Sequence, residues 1–123
     1  MAFEVCVKGW FAAAHQLRMP DGVLEPLHGH NWHVSVTFRG DVLDEMGVLV
    51  DFTVVQRRLD EVLLAMHDRN LSELAPFLET NPSAENVAIH IAGKMSTDLR
   101  DGVGLACVEV EEAPGCVARF RPT

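Results

Sequence analysis

The chain is short of cations. Ten lysines and arginines face 18 aspartates and glutamates over 123 residues, for a formal net charge of −8. That balance argues against nucleic acid or an anionic membrane as a partner. It also means that an anionic substrate must be held by a metal, by helix N-termini or by a few basic residues. Cysteine is scarce: Cys6, Cys107 and Cys116 are an odd set without a CxxC spacing. They argue against a disulfide framework and for buried thiols in a reducing compartment. No apolar run reaches membrane-spanning length, and no basic stretch leading into an apolar one opens the chain, so the expected location is cytoplasmic. Repeats, linkers and low-complexity segments are missing as well. The length fits one domain, 1–123, with a core of its own.

What is present centres on His28-Gly29-His30. The segment from His28 to Arg39 reads as a β-strand. Residues i and i+2 of a strand share a face with Cα atoms about 6.5–7 Å apart, so the two imidazoles can converge on one ion. Gly29 removes bulk from the opposite face and allows a close approach there. His15 ends the preceding apolar segment, where an antiparallel neighbour would bring it alongside. Three neutral imidazoles and no thiolate form the ligand set of a catalytic zinc, whose fourth position stays open. His33 points to the other face and His90 falls in a helix; neither is assigned to the metal.

The rest of the pattern supplies a scaffold. Phe3, Val5 and Val7 alternate with polar neighbours, the period of a half-buried strand. The apolar run continues from Trp10 to His15, with a bulge expected at Gly9. Pro20, Gly22 and Pro26 make a loop of Arg18 to Leu27. His28, His30, Trp32, Val34, Val36 and Phe38 fall on one strand face. A loop follows from Gly40 to about Val50. Thr53 and Gln56 have the spacing of a capping box, and Val55, Leu59, Val62, Leu63 and Met66 then recur at helical spacing to an end near 68–71. Asn81-Pro82-Ser83 opens a second helix, with Pro82 in its first turn and Asn81 or Ser83 as the cap. Its stripe is Ala84, Val87, Ala88, Ile91, Ala92, Met95 and Leu99, and Gly102 suits its stop. Ala106, Val108 and Val110 alternate with Cys107, Glu109 and Glu111, and Pro114-Gly115 turns the chain into a closing hairpin over Val117 to Arg121. The expected fold is α+β, in the order strand, strand, helix, helix, strand, strand. It is a four-stranded antiparallel sheet with two helices on one face. The apolar content of the strands suggests a partner subunit over the other face.

Six segments, in order along the whole chain, resemble the 6-pyruvoyltetrahydropterin synthase / 6-carboxytetrahydropterin synthase family. They are Phe11-Ala12-Ala13-Ala14-His15, His28-Gly29-His30, Gly47-Val48-Leu49-Val50-Asp51-Phe52, Arg69-Asn70-Leu71, Asn81-Pro82-Ser83-Ala84-Glu85-Asn86 and Glu112 to Phe120. The resemblance implies a tunnelling fold built as trimers paired into a homohexamer, with active sites at subunit interfaces. It implies zinc on His15, His28 and His30 and a dihydroneopterin triphosphate substrate. Glu112 would anchor the pterin ring by accepting two hydrogen bonds from its guanidine-like edge, with Ser83 nearby.

Two positions depart from the family pattern. The usual catalytic cysteine, four residues before the first histidine of the HGH motif, is here Leu24, which moves no proton. Glu25 follows it, and Glu25-Pro26-Leu27-His28-Gly29-His30 resembles the type III branch of the family. There a glutamate replaces the cysteine and the side chain is cleaved to 6-hydroxymethyl-7,8-dihydropterin, a folate precursor. A glutamate beside zinc and partly desolvated can serve as a general base near neutral pH. The family's Asp-His relay pair is inverted here to His67-Asp68. Neighbours on a helix point about 100° apart, so the two residues cannot simply exchange roles.

The expectation is a zinc-dependent pterin lyase with Glu25, Asp68 and His67 as catalytic residues. Its product is a 6-carboxy pterin for deazapurine (queuosine) synthesis, a 6-pyruvoyl pterin, or the type III product toward folate. Glu25 favours the last. Two rivals are a pterin-binding homologue that has lost the relay and a zinc enzyme with a non-pterin substrate on the same scaffold.

Overall fold

The computed structural model describes residues 2–122. Strand β1 (Phe3–His15) pairs antiparallel with β2 (His28–Gly40) over their full lengths, from Phe3 opposite Gly40 to His15 opposite His28. Helix α1 (Phe52–Leu64) and helix α2 (Ala84–Met95) follow, separated by a two-residue strand, β3 (Arg69–Asn70). The chain closes with β4 (Val103–Ala113) and β5 (Cys116–Phe120). The sheet order is β3-β1-β2-β4-β5. Helix α1 packs on β1, and α2 packs on β4 and β5. The α+β class and the two-helix layer stand as the sequence predicts.

The sheet has five strands rather than four, and it is mixed. The extra strand, β3, runs parallel to the end of β1, pairing at Ala13 and Ala14. The chain is steered there by Asp68, which adopts a positive φ of 58° and donates its N–H to the Ala12 carbonyl at 2.6 Å. A two-residue strand carries no hydrophobic period, so the sequence pattern could not reveal it.

Alternation places the core residues. On β1 the odd positions Val7, Phe11, Ala13 and His15 are buried, and on β2 the even positions from Trp32 to Phe38 are buried. No bulge interrupts Gly9, which pairs directly with Val34. Its missing side chain instead makes room for α1: a Cβ there would lie 2.7 Å from Leu63 Cδ1. The bulges are on β4. The register steps from Thr37–Cys107 to Phe38–Leu105, so Ala106 is the extra residue, and Leu105 takes the core side before Val108 and Val110. A second shift, between Glu111–Val117 and Ala113–Cys116, makes Glu112 the extra residue of the closing hairpin.

The helix boundaries also shift. Asp51, not Thr53, caps α1, its side chain accepting from the Thr53 N–H at 2.9 Å. Gln56 reaches out to the Lys8 carbonyl and Asp60 instead of closing a capping box. The helix stops at Leu64, short of the expected 68–71, with Val55, Leu59 and Leu63 buried. Ser83 caps α2 by accepting from the Asn86 N–H at 3.2 Å, and Pro82 precedes the cap. Gly102 does not stop α2, which ends on Ser96; it takes a φ of +86° in the turn entering β4. No helix among the described residues is long and apolar enough to cross a membrane.

Gly40 is the most constrained glycine in the sheet. A Cβ there would meet Leu49 Cδ1 at 2.7 Å and the Gly102 carbonyl at 2.8 Å. The carbonyl belongs to backbone and cannot rotate away. Gly40→Ala is therefore expected to cost about 1–3 kcal/mol, read as a lowered urea midpoint with an unchanged slope.

Candidate metal centre

The three histidines meet on the helix-covered face of the sheet, at the ends of β1 and β2. Their ligand nitrogens all lie within 4.8 Å of one another. His15 is 1% exposed. Its Nδ1 lies 2.7 Å from the Pro82 carbonyl, and His28 Nδ1 lies 2.9 Å from the Pro26 carbonyl. A carbonyl can only accept, so in both rings Nδ1 carries the hydrogen and Nε2 presents a lone pair. Those two Nε2 atoms face each other at 3.1 Å. Two lone pairs at that distance repel unless a cation lies between them. His30 Nε2 is buried and has no hydrogen-bond partner among the described residues. Three converging lone pairs, one of them orphaned, fit a metal ion. Tetrahedral zinc with nitrogens at 2.0–2.1 Å would set them about 3.3–3.4 Å apart.

The surroundings hold this set in place. Trp32 floors the site, edge-on to the His15 ring at 4.9 Å and the His30 ring at 5.6 Å. Trp32 is itself fixed by stacking on Phe11 and by its indole N–H, which donates to the Ala13 carbonyl at 3.1 Å. The chain after His15 is tied down residue by residue: Gln16 to Ser72, Leu17 to Glu25, and Arg18 to Asn81. Burial is the largest influence on His30 and lowers its pKa below 6.5; Glu112 acts the other way. The ring therefore stays neutral, as a ligand must, further into acid than a free histidine.

Glu112 enters from β4. The bulge at this position re-aims its side chain, and Oε1 lies 3.2 Å from His15 Nε2 and 3.9 Å from His30 Nε2. Glu25 stands on the loop before β2. Its Oε1 accepts the Leu17 N–H at 3.0 Å, which leaves the second oxygen unengaged by that bond, and its charge reaches His30. Ser83 Oγ is engaged in capping α2, one residue after the carbonyl that orients His15.

The inverted pair sits elsewhere. The Ala12 N–H donates to His67 Nδ1 at 3.0 Å, so the hydrogen of that ring is on Nε2, which faces Asp68 Oδ2 at 3.4 Å. Nδ1 is thus engaged at the edge of β1, and Nε2 has a carboxylate nearby. Asp68 lines a depression of ≈ 580 Å³ together with Ala12, Ala13, Ala14, Gly29, His30, Asn31, Arg69 and Asn70. Ala12, Ala14, Gly29 and Asn31 have the opposite parity to His15, His28 and His30, so their side chains leave the sheet on the other face; His30 itself also borders the depression.

Sequence reasoning missed the supporting groups. The carbonyls of Pro26 and Pro82 orient two ligands, yet a carbonyl leaves no mark in residue type. Trp32 was legible as a core residue on the histidine face; only the fold shows that it is the floor of the site.

The family model described as 6-pyruvoyl tetrahydropterin synthase matches residues 4–123. The 6-carboxy-5,6,7,8-tetrahydropterin synthase of Synechocystis is 34% identical over 115 residues, 89% of this chain and 86% of that protein. The fold superimposes on Caenorhabditis elegans 6-pyruvoyl tetrahydropterin synthase with a TM-score of 0.83 at 25% identity, over 100% of this chain and 97% of that one. A Plasmodium vivax 6-pyruvoyltetrahydropterin synthase, described as a catalytic residue mutant with alanine in place of a glutamate, shares the fold. There the TM-score is 0.79 at 17% identity, over 100% of this chain and 99% of that one. The chain belongs to the 6-pyruvoyl tetrahydropterin synthase family.

Proposed function

We propose that this protein is a zinc-dependent lyase acting on the three-carbon side chain of 7,8-dihydroneopterin triphosphate, with cleavage to 6-hydroxymethyl-7,8-dihydropterin as its reaction. The observation that carries the proposal is the convergence of three imidazole lone pairs, one buried without a partner, on the face that Glu112 enters. Zinc, when bound, polarises hydroxyl and keto oxygens and acidifies the neighbouring C–H and O–H bonds. The protein's own residues do the rest. His15, His28 and His30 hold the metal. Glu112 accepts two hydrogen bonds from the pterin edge. Glu25, braced through one oxygen on the Leu17 N–H, offers the other as general base. The Plasmodium vivax synthase, with its own catalytic glutamate, is consistent with that assignment.

Most of the strand residues beside Asp68 point away from the metal, and the Asp68 side chain is 78% exposed. In our reading His67 and Asp68 do not serve the metal of their own chain. They would meet a site across an interface, as in the homohexamer that the family resemblance implies.

A second reading is a pterin-binding protein without turnover. It draws on Leu24 in place of a cysteine and on His67, whose Nδ1 is already committed to the Ala12 N–H and whose Nε2 lies 3.4 Å from Asp68. The deciding experiment is incubation of the zinc-loaded protein with dihydroneopterin triphosphate and identification of the pterin product by mass. The hydroxymethyl product is expected. A 6-carboxy or 6-pyruvoyl product would reassign the reaction, and tight binding without product would select the second reading.

A further inference from the structure

Glu112 is closer to the histidines than a ring anchor requires. His15 Nε2 has two neighbours at contact distance, His28 Nε2 at 3.1 Å and Glu112 Oε1 at 3.2 Å. His15 Nδ1 already serves the Pro82 carbonyl. A single hydrogen on His15 Nε2 could satisfy only one of the two neighbours, and His30 Nε2, 3.9 Å from the same carboxylate oxygen, would still be left without a partner. A cation among the four atoms satisfies all of them together. The separations also approach the donor spacing of about 3.3–3.4 Å in a tetrahedral site. The carboxylate would further lower the charge that a dication brings into a partly buried site, a favourable effect in low dielectric.

We propose that Glu112 is the fourth protein donor to the metal in the substrate-free enzyme and that the pterin draws it away, which presupposes the metal site proposed above. Glu112 arrives on a bulge at the start of a tight hairpin rather than within a regular ladder, and its side chain remains 29% exposed. It therefore has room to swing from the histidines to an incoming ring. The carboxylate then keeps the site closed until a molecule with two adjacent N–H donors offers it a better partner. Specificity for the guanidine-like edge and opening of the metal become one event.

Cobalt(II) reads this directly, through its ligand-field absorption and its affinity for the metal-free protein. The wild type is expected to give the intense bands of a four-coordinate site without any added ligand. Glu112→Gln should weaken cobalt binding roughly 10–100-fold and reduce band intensity as water expands the coordination. Glu112→Asp keeps the charge but shortens the reach, and should resemble Glu112→Gln. Wild-type affinity and spectrum in Glu112→Gln, beside a His30→Ala variant that binds no cobalt, would overturn the proposal. So would wild-type behaviour in Glu112→Asp together with loss in Glu112→Gln, because that would reduce the effect to charge alone. Failure of the wild type itself to bind cobalt would remove the metal site, and this inference with it. Thermal melts of the metal-free variants separate these results from misfolding.

Discussion

His28→Ala is expected to yield a folded protein that carries no stoichiometric metal and has lost turnover. His28 contributes a lone pair fixed by the Pro26 carbonyl, and it stands at the first position of β2, outside the hydrophobic core. Removing it takes away one of the three converging imidazole donors. Loss of an outer group that merely orients a ligand already costs about 10–100-fold in affinity, so loss of a ligand should exceed 100-fold. Metal analysis after dialysis checks the first expectation, and the pterin product assay checks the second. Stability of the metal-free protein should change by no more than about 0.5 kcal/mol. His15→Ala gives the contrast. His15 is buried and its Nδ1 is bonded to Pro82, so its removal opens a void and strands a carbonyl, at a cost of about 2–4 kcal/mol. Acid should act through His30 as well. Its folded-state pKa is lowered below 6.5 by burial, so its contribution to stability is complete above that pH and fades as the pH falls through the lowered value. Full metal occupancy in His28→Ala would remove His28 from the ligand set.

The parts of this molecule that were legible in its sequence are those that a period or a ligand type writes down. Alternation from His28 to Phe38 fixed which face carries the histidines, and the stripe from Ala84 to Met95 fixed the buried side of α2. His15 could be set beside His28 because one ends an apolar strand and the other begins the next, and the two are direct partners across the β1–β2 ladder. What stayed hidden depends on backbone. Asp51 displaced Thr53 as a cap because the choice turns on the φ and ψ of one residue. The bulges at Ala106 and Glu112 shift the register without changing composition. The position of Asp68 beside the end of β1 follows from a left-handed residue and one hydrogen bond to Ala12, neither of which a helical wheel represents. The departures thus gather around the site, where a bulge, a left-handed turn and two proline carbonyls set the geometry.

Glu25 should separate catalysis from structure if it is replaced in two ways. Its Oε1 accepts the Leu17 N–H, while its own N–H donates to the Leu17 carbonyl at 2.9 Å and its carbonyl accepts from Gln16 Nε2 at 3.1 Å. The two backbone bonds survive any substitution. The carboxylate bond survives in Glu25→Gln, whose amide oxygen can take the same N–H, and is lost in Glu25→Ala. A purely structural role would therefore spare Glu25→Gln and damage Glu25→Ala. A general base is lost in both. Loss of a positioned base typically lowers kcat by about 10²–10⁴-fold, so both variants should lose turnover to that extent while binding pterin and metal like the wild type. Glu25→Ala alone should also show a loosened loop from Gln16 to Glu25, read as faster amide exchange at Leu17. A Glu25→Gln enzyme with wild-type kcat would return Glu25 to the role of a loop brace.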